Sequence, residues 1–149
     1  MAILFRKILL SLTFCWISVL TVTAANKTYT VEGQIKFQEL GDIYIYLVDK
    51  KQFQSPLTGI QLIKISKQEI STKKGVKNFK FEDVKTGTYG IRCFMDLNGN
   101  GKLDRGLFGP SEPWDMSWIS KRTLKWPQFS NISFEVNSEI NNLVLTLSN

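Results

Sequence analysis

The sequence predicts an all-β fold, a single antiparallel β-sandwich that follows an N-terminal signal peptide. Three observations predict it. Short apolar runs, alternating or continuous, recur along the chain between turn-forming residues. No window combines a 3.6-residue apolar period with helix caps. The chain has 149 residues, of which 43% are hydrophobic and 21% charged, so it has room for one domain with a buried core.

The strand candidates follow one another at regular intervals. The clearest is residues 89–95, where apolar and other side chains alternate, as in a half-buried strand. Residues 43–48 form an unbroken β-branched and aromatic run, which is typical of a strand buried on both faces. Gly33 is expected at a bulge, and residues 67–73 form at most a helical turn. The complete set of strand candidates is 28–37, 43–48, 60–65, 76–84, 89–95, 132–136 and 143–147.

Residues 1–24 have the three parts of a secretory signal peptide. Arg6 and Lys7 are followed by an apolar run over 8–22, and small residues precede a cleavage position after Ala24. The apolar run is shorter than the about 20 residues of a membrane-spanning helix, which disfavours an uncleaved anchor. We therefore expect a mature β-sandwich domain of residues 25–149, exported to the periplasm or the cell exterior and not integral to the membrane.

The absence of histidine excludes several kinds of chemistry. With no histidine in the chain, there can be no Ser-His-Asp triad, no Cys-His pair and no histidine-ligated metal. The formal net charge of +6 is spread along the sequence rather than clustered, so no nucleic-acid partner is expected.

One segment, residues 96–104, has the spacing of a calcium-binding loop. Oxygen-bearing side chains stand at its first, third, fifth and ninth positions, and the backbone carbonyl of its seventh position completes the pattern. Glycine at the sixth position permits the sharp turn that such loops need. The candidate ligands for Ca²⁺ are Asp96, Asn98, Asn100, the carbonyl of Lys102, and Asp104.

The twelfth position of the pattern lacks its acidic ligand, because Leu107 stands there. Glu112 or Asp115 could fold back to supply the acid. With so few charged ligands, the expected dissociation constant is about 10⁻⁴–10⁻³ M. The alternative is a turn without metal, because Asn-Gly favours tight turns and Asp and Asn side chains bind their own backbone.

The segment after this loop is rich in aromatic residues. Trp114, Trp118 and Trp126 lie close together in sequence among polar residues. Such side chains can form a binding surface for a carbohydrate or a peptide, with a cell-envelope glycan or protein as partner. Alternatively, they cap the open end of the sandwich as part of the core.

Residues 79–115 carry a family resemblance. They contain a Phe-x-Phe strand, a Gly-x-Tyr strand, an Asp-x-Asn-x-Asn-Gly-x-x-Asp loop and a Pro-x-Glu segment followed by an aromatic residue. In this order they resemble the bacterial secreted proteins of domain-of-unknown-function family 2141. The two strands also resemble immunoglobulin- or transthyretin-like and carboxypeptidase-regulatory-like β-sandwiches. The resemblance implies this fold and no known enzymatic activity; Leu97, where an acid is common in the family, departs from the pattern.

Three functions therefore remain open. The leading hypothesis is an exported, non-enzymatic β-sandwich that binds Ca²⁺ through the loop from Asp96 to Asp104. The second is a carbohydrate- or peptide-binding module that uses the tryptophans. The third is a hydrolase, because paired carboxylates can cleave glycosides, and its acids would be Asp96, Asp104, Glu112 and Asp115.

Overall fold

The protein forms two facing β-sheets in a computed structural model that describes residues 27–55, 58–118 and 126–148. The proposed signal peptide lies outside the described residues. No helix in the described ranges is long and apolar enough to cross a membrane. In chain order the elements are β1 (Thr28–Phe37), β2 (Asp42–Val48), α1 (Lys50–Phe53), β3 (Gln61–Ile65), β4 (Gly75–Lys85), β5 (Gly87–Asp96), β6 (Arg105–Gly106), β7 (Gly109–Pro110), β8 (Trp114–Met116), α2 (Phe129–Ile132), β9 (Phe134–Val136) and β10 (Ile140–Thr146).

The first sheet has the order β10-β1-β4 and the second the order β3-β2-β5-β8, with β9 paired to the start of β5. Strands β6 and β7 form a separate small hairpin. The long strands β4 and β5 follow one another but lie in different sheets, so the chain crosses between the sheets near Thr86. The all-β prediction is confirmed.

The main core lies between the two sheets. Val31 and Ile35 of β1 and Phe81 of β4 face Ile45 of β2 and Ile91 of β5 in one buried cluster. Burial of these side chains supplies the main stabilisation, at roughly 1.5–3 kcal/mol for each large apolar side chain.

A second cluster covers the outer face of the second sheet. Tyr46 and Val48 point away from the main core and pack with Phe94, Met116 and Ile132. Residues 43–48 are therefore apolar on both faces because each face meets a different cluster, as the unbroken run predicted. This outer cluster positions the candidate site.

Three details differ from the predictions made from the sequence. Strands β1 and β10 run parallel instead of antiparallel, because the hydrophobic pattern carries no information on strand direction. Ile132 ends α2 instead of opening a strand. The expected helical turn is limited to a 3-10 turn at Lys67–Glu69, which Ser66 caps.

Gly33 lies where the β1–β10 register shifts, as expected for a bulge. A Cβ atom there would lie 2.2 Å from the carbonyl oxygen of Leu143, so the close approach of β10 requires glycine.

Candidate functional site

The loop of residues 96–104 is wound around the Asp96 carboxylate. Asp96 ends β5 and is only 2% exposed. Its Oδ1 accepts hydrogen bonds from the backbone N–H groups of Gly99 and Asn100 at 2.7 and 3.2 Å, and its Oδ2 accepts one from Gly101 at 2.6 Å. Gly99 and Gly101 have φ values of +80° and +74°, a backbone conformation that other residues rarely adopt. These bonds give the loop its tight course.

Two further side chains, those of Asn98 and Asn100, converge on Asp104 at the ninth position of the loop. The Nδ2 atom of Asn98 donates to Asp104 Oδ2 at 2.6 Å, and that of Asn100 donates to both Asp104 oxygens at 3.0 Å. The Oδ1 atoms of the two asparagines accept backbone hydrogen bonds from Asn100 and Lys102. The loop thus brings Asp96, Asn98, Asn100 and Asp104 together through its own hydrogen bonds.

This geometry defines what Ca²⁺ binding would require. In the described ranges, no three acidic, histidine or cysteine side chains come together as a potential metal cluster. A calcium site would therefore depend on amide and carbonyl oxygens as well as carboxylates. The amide nitrogens of Asn98 and Asn100 face Asp104, so both amides would rotate to turn their oxygens inward.

Glu112 braces the two ends of the loop. It is 4% exposed, and its Oε1 accepts from the backbone N–H of Leu97 at 2.8 Å while Oε2 accepts from that of Asp104 at 3.0 Å. The backbone N–H of Ser111 also donates to the Asp104 carbonyl at 2.9 Å. The second acid considered for the metal site, Asp115, lies on β8 and accepts a hydrogen bond from the backbone N–H of Thr146 at 2.6 Å. Asp115 thereby connects the two sheets.

A pocket of about 380 Å³ lies between the loop and the outer face of the second sheet. Lys102 and Leu103 of the loop and Arg105 of β6 form one wall. The rest of the lining is mostly aromatic or apolar. The remaining lining residues are Tyr46, Arg92, Cys93, Phe94, Trp114, Met116 and Trp126.

The aromatic rings of this pocket are stacked on one another and on arginines. Trp114 and Trp126 stack with ring centroids 5.1 Å apart, and the Arg105 guanidinium lies 4.1 Å from the Trp126 centroid. Tyr46 stacks on Phe94 with ring centroids 6.4 Å apart. The Arg92 guanidinium lies 5.4 Å from the centroid of the Tyr46 ring. Such cation–π contacts hold the arginines in place while they keep their charge.

Arg92 is held at the pocket by the backbone. Its Nη2 donates to the carbonyls of Ser55 and Thr58 at 2.7 and 2.5 Å. Burial lowers the pKa of Arg92, an effect that Tyr46 opposes. Burial also raises the pKa of Tyr46. Arg92 remains cationic at neutral pH because a guanidinium is not deprotonated in proteins.

The three tryptophans expected to form one surface do not share one site. Trp114 is buried and Trp126 is 39% exposed, and both line the pocket. Trp118 is 56% exposed and is not among the residues that line it. Its φ of +61° is unusual for a bulky side chain.

The pocket also contains residues that sequence reasoning missed. Tyr46, Arg92, Phe94 and Arg105 come from distant parts of the chain. For Tyr46, the only sequence signal was the unbroken apolar run of β2, which implied a second buried face.

Comparison with known proteins gives one family. A model described as "Uncharacterized protein conserved in bacteria (DUF2141)" matches residues 31–143, which is more than half of the chain. The matched range includes the loop, Glu112 and the pocket-lining residues. No curated protein and no solved structure matches the chain.

Proposed function

Because the chain belongs to DUF2141, an uncharacterised bacterial family, we propose its function from its own geometry: it is an exported, non-enzymatic module that binds a small ligand in the aromatic pocket. The observation that carries the proposal is the concave site of about 380 Å³, a size within the range of ligand pockets. Its walls combine aromatic surface with a few charged groups, which is the usual composition of a binding site.

The surroundings of the pocket support binding without catalysis. The nearby acids Asp96 and Glu112 accept hydrogen bonds from the backbone, and no acid is among the described residues that line the pocket. Export is supported by the pattern of residues 1–24. A glycan or peptide of the cell envelope is the ligand source that this location suggests.

The tryptophans provide the first test of binding in the pocket. We expect the neutral dye N-phenyl-1-naphthylamine to bind with one site per chain, measured by its fluorescence increase. Trp126→Ala removes one aromatic wall and should weaken binding at least tenfold, because about 60 Å² of lost apolar burial at roughly 25 cal/mol per Å² amounts to about 1.5 kcal/mol.

The matched control is Trp118→Ala, which makes the same change outside the pocket and should leave the affinity unchanged. Phe108→Ser tests adsorption to exposed apolar surface, because Phe108 is 96% exposed. Equal losses in the Trp118 and Trp126 variants, or no saturable site, would contradict the proposal.

The second candidate function is Ca²⁺ binding by the loop. It rests on the calcium-loop spacing of residues 96–104, which places the side chains of Asn98 and Asn100 within 2.6–3.0 Å of Asp104; bound Ca²⁺ would replace these hydrogen bonds. Asp96, Asn98, Asn100, Asp104 and the Lys102 carbonyl would hold the ion, and it would stiffen the wall of the pocket. Glu112 would keep its bonds to Leu97 and Asp104 and support the loop from outside.

A melting experiment tests this second function. In 10 mM calcium the melting temperature should exceed that in EDTA by about 4–10 °C, because a ligand at 10–100 times its dissociation constant adds about 1.4–2.7 kcal/mol. Asp104→Asn removes one of the two carboxylates of the loop and should abolish the shift. Asp83→Asn, the same change elsewhere, should retain it. An unchanged melting temperature in the wild type would leave the loop as a turn without metal.

A further inference from the structure

The pocket collects positive charge without negative charge. Arg92, Lys102 and Arg105 line it, and no Asp or Glu does so among the described residues. The ion pairs found in the described part of the chain join Lys64 to Asp42, Lys73 to Glu39 and Lys80 to Glu82, and none involves the pocket cations. A concave site that combines cations with low-polarity walls concentrates positive potential.

The aromatic rings add to the preference of the pocket for an anion. The ring faces of Trp126 are used by Trp114 and by the Arg105 guanidinium, and that of Tyr46 is approached by Arg92. A guanidinium stacked on a ring keeps its N–H donors in its own plane, where they can bind an oxyanion in a bidentate manner.

Arg92 provides the strongest single reason to expect an anionic ligand. Its guanidinium is partly buried and is held by two backbone carbonyls, Ser55 and Thr58, rather than by a carboxylate. A partly buried charge that lacks a counterion is unfavourable. A ligand oxyanion in the pocket would supply the missing charge.

We infer that the ligand of this pocket carries an oxyanion, a carboxylate or a phosphate, attached to a ring with an apolar face. The inference rests on the proposed binding function and specifies its ligand. The ring packs against the aromatic and apolar wall, and the oxyanion faces Arg92 and Arg105. A neutral ring compound makes only the contact with the aromatic and apolar wall.

A pair of dyes tests the charge requirement. 8-Anilino-1-naphthalenesulfonate and N-phenyl-1-naphthylamine share their rings and differ in the sulfonate. The sulfonated dye should bind the wild-type chain at least tenfold more tightly, the gain that one charge-assisted hydrogen bond gives. Arg105→Met keeps an unbranched apolar side chain without the charge, and it should remove most of this difference by weakening the binding of the sulfonated dye much more than that of the neutral dye.

The matched control is Lys85→Met on β4, which lowers the net charge equally outside the pocket and should preserve the difference. Equal affinities for the two dyes in the wild type, or an equal loss in the Lys85 variant, would overturn the inference and leave the binding function standing. If neither dye shows a saturable site, the proposed function itself fails.

Competition against the bound sulfonated dye distinguishes an acidic sugar from an aromatic acid as the ligand. Glucuronate is compared with glucose for an acidic sugar, and benzoate with benzyl alcohol for an aromatic acid. The anion of at least one pair should displace the dye at a concentration at least tenfold below that of its neutral partner. Displacement by the neutral member at the same concentration in both pairs would overturn the inference.

Discussion

Replacing Asp96 by alanine is expected to lower the free energy of unfolding by about 3 kcal/mol, measured by urea denaturation in EDTA. Asp96 is 2% exposed and accepts backbone hydrogen bonds from Gly99, Asn100 and Gly101. Hydrogen bonds to a charged group contribute about 1.5–3 kcal/mol each and are not additive when they share one acceptor. The loop would lose the group around which it is wound.

Asp104→Ala is the control for this prediction. Its carboxylate accepts from the exposed amide groups of Asn98 and Asn100, so its loss should cost less than about 1 kcal/mol without calcium. Asp96→Ala should also weaken dye binding, because Lys102 and Leu103 leave the pocket wall. Equal destabilisation by the two variants, or an Asp96 variant as stable as the wild type, would contradict the role given to Asp96.

Replacing Glu112 by alanine has the second largest expected effect, a loss of about 2 kcal/mol in the free energy of unfolding. Both carboxylate oxygens accept backbone hydrogen bonds, from Leu97 and Asp104, at a position that is 4% exposed. Removal of the side chain leaves two partly buried N–H groups without their acceptors. Glu112→Gln keeps one acceptor oxygen and should lose about half as much.

Amide hydrogen exchange measures this effect at the two donors. The Leu97 and Asp104 amides should exchange faster in Glu112→Ala, while the Ile91 amide, bonded to Ser117 Oγ, should change less. Unaltered exchange at Leu97 and Asp104 would show that Glu112 does not brace the loop.

Local patterns predicted the elements well, because strand periodicity and turn residues act over short distances. Residues 89–95 alternate in sequence and lie within β5, and the Asp/Asn spacing of 96–104 corresponds to a compact loop around Asp96. The parallel pairing of β1 with β10 depends on how the chain returns after β9, and no local pattern reports it.

The pocket could not be predicted in the same way. Tyr46, Arg92 and Arg105 are brought together by the β2–β5 pairing and by the course of the loop, which are long-range features. Proximity in sequence grouped Trp118 with Trp114 and Trp126, yet Trp118 lies outside the pocket lining because the backbone turns at that residue. Glu112 was recognised as an acid near the loop, but its bonds to two backbone amides follow only from the fold.

The indole N–H signals in a ¹⁵N NMR titration test most directly whether the pocket beside the loop is a ligand-binding site. With 8-anilino-1-naphthalenesulfonate, the Trp114 and Trp126 signals should shift along one saturation curve, while the Trp118 signal stays in place. Indole signals that remain unchanged while the dye binds, or a Trp118 signal that moves together with the other two, would contradict the claim.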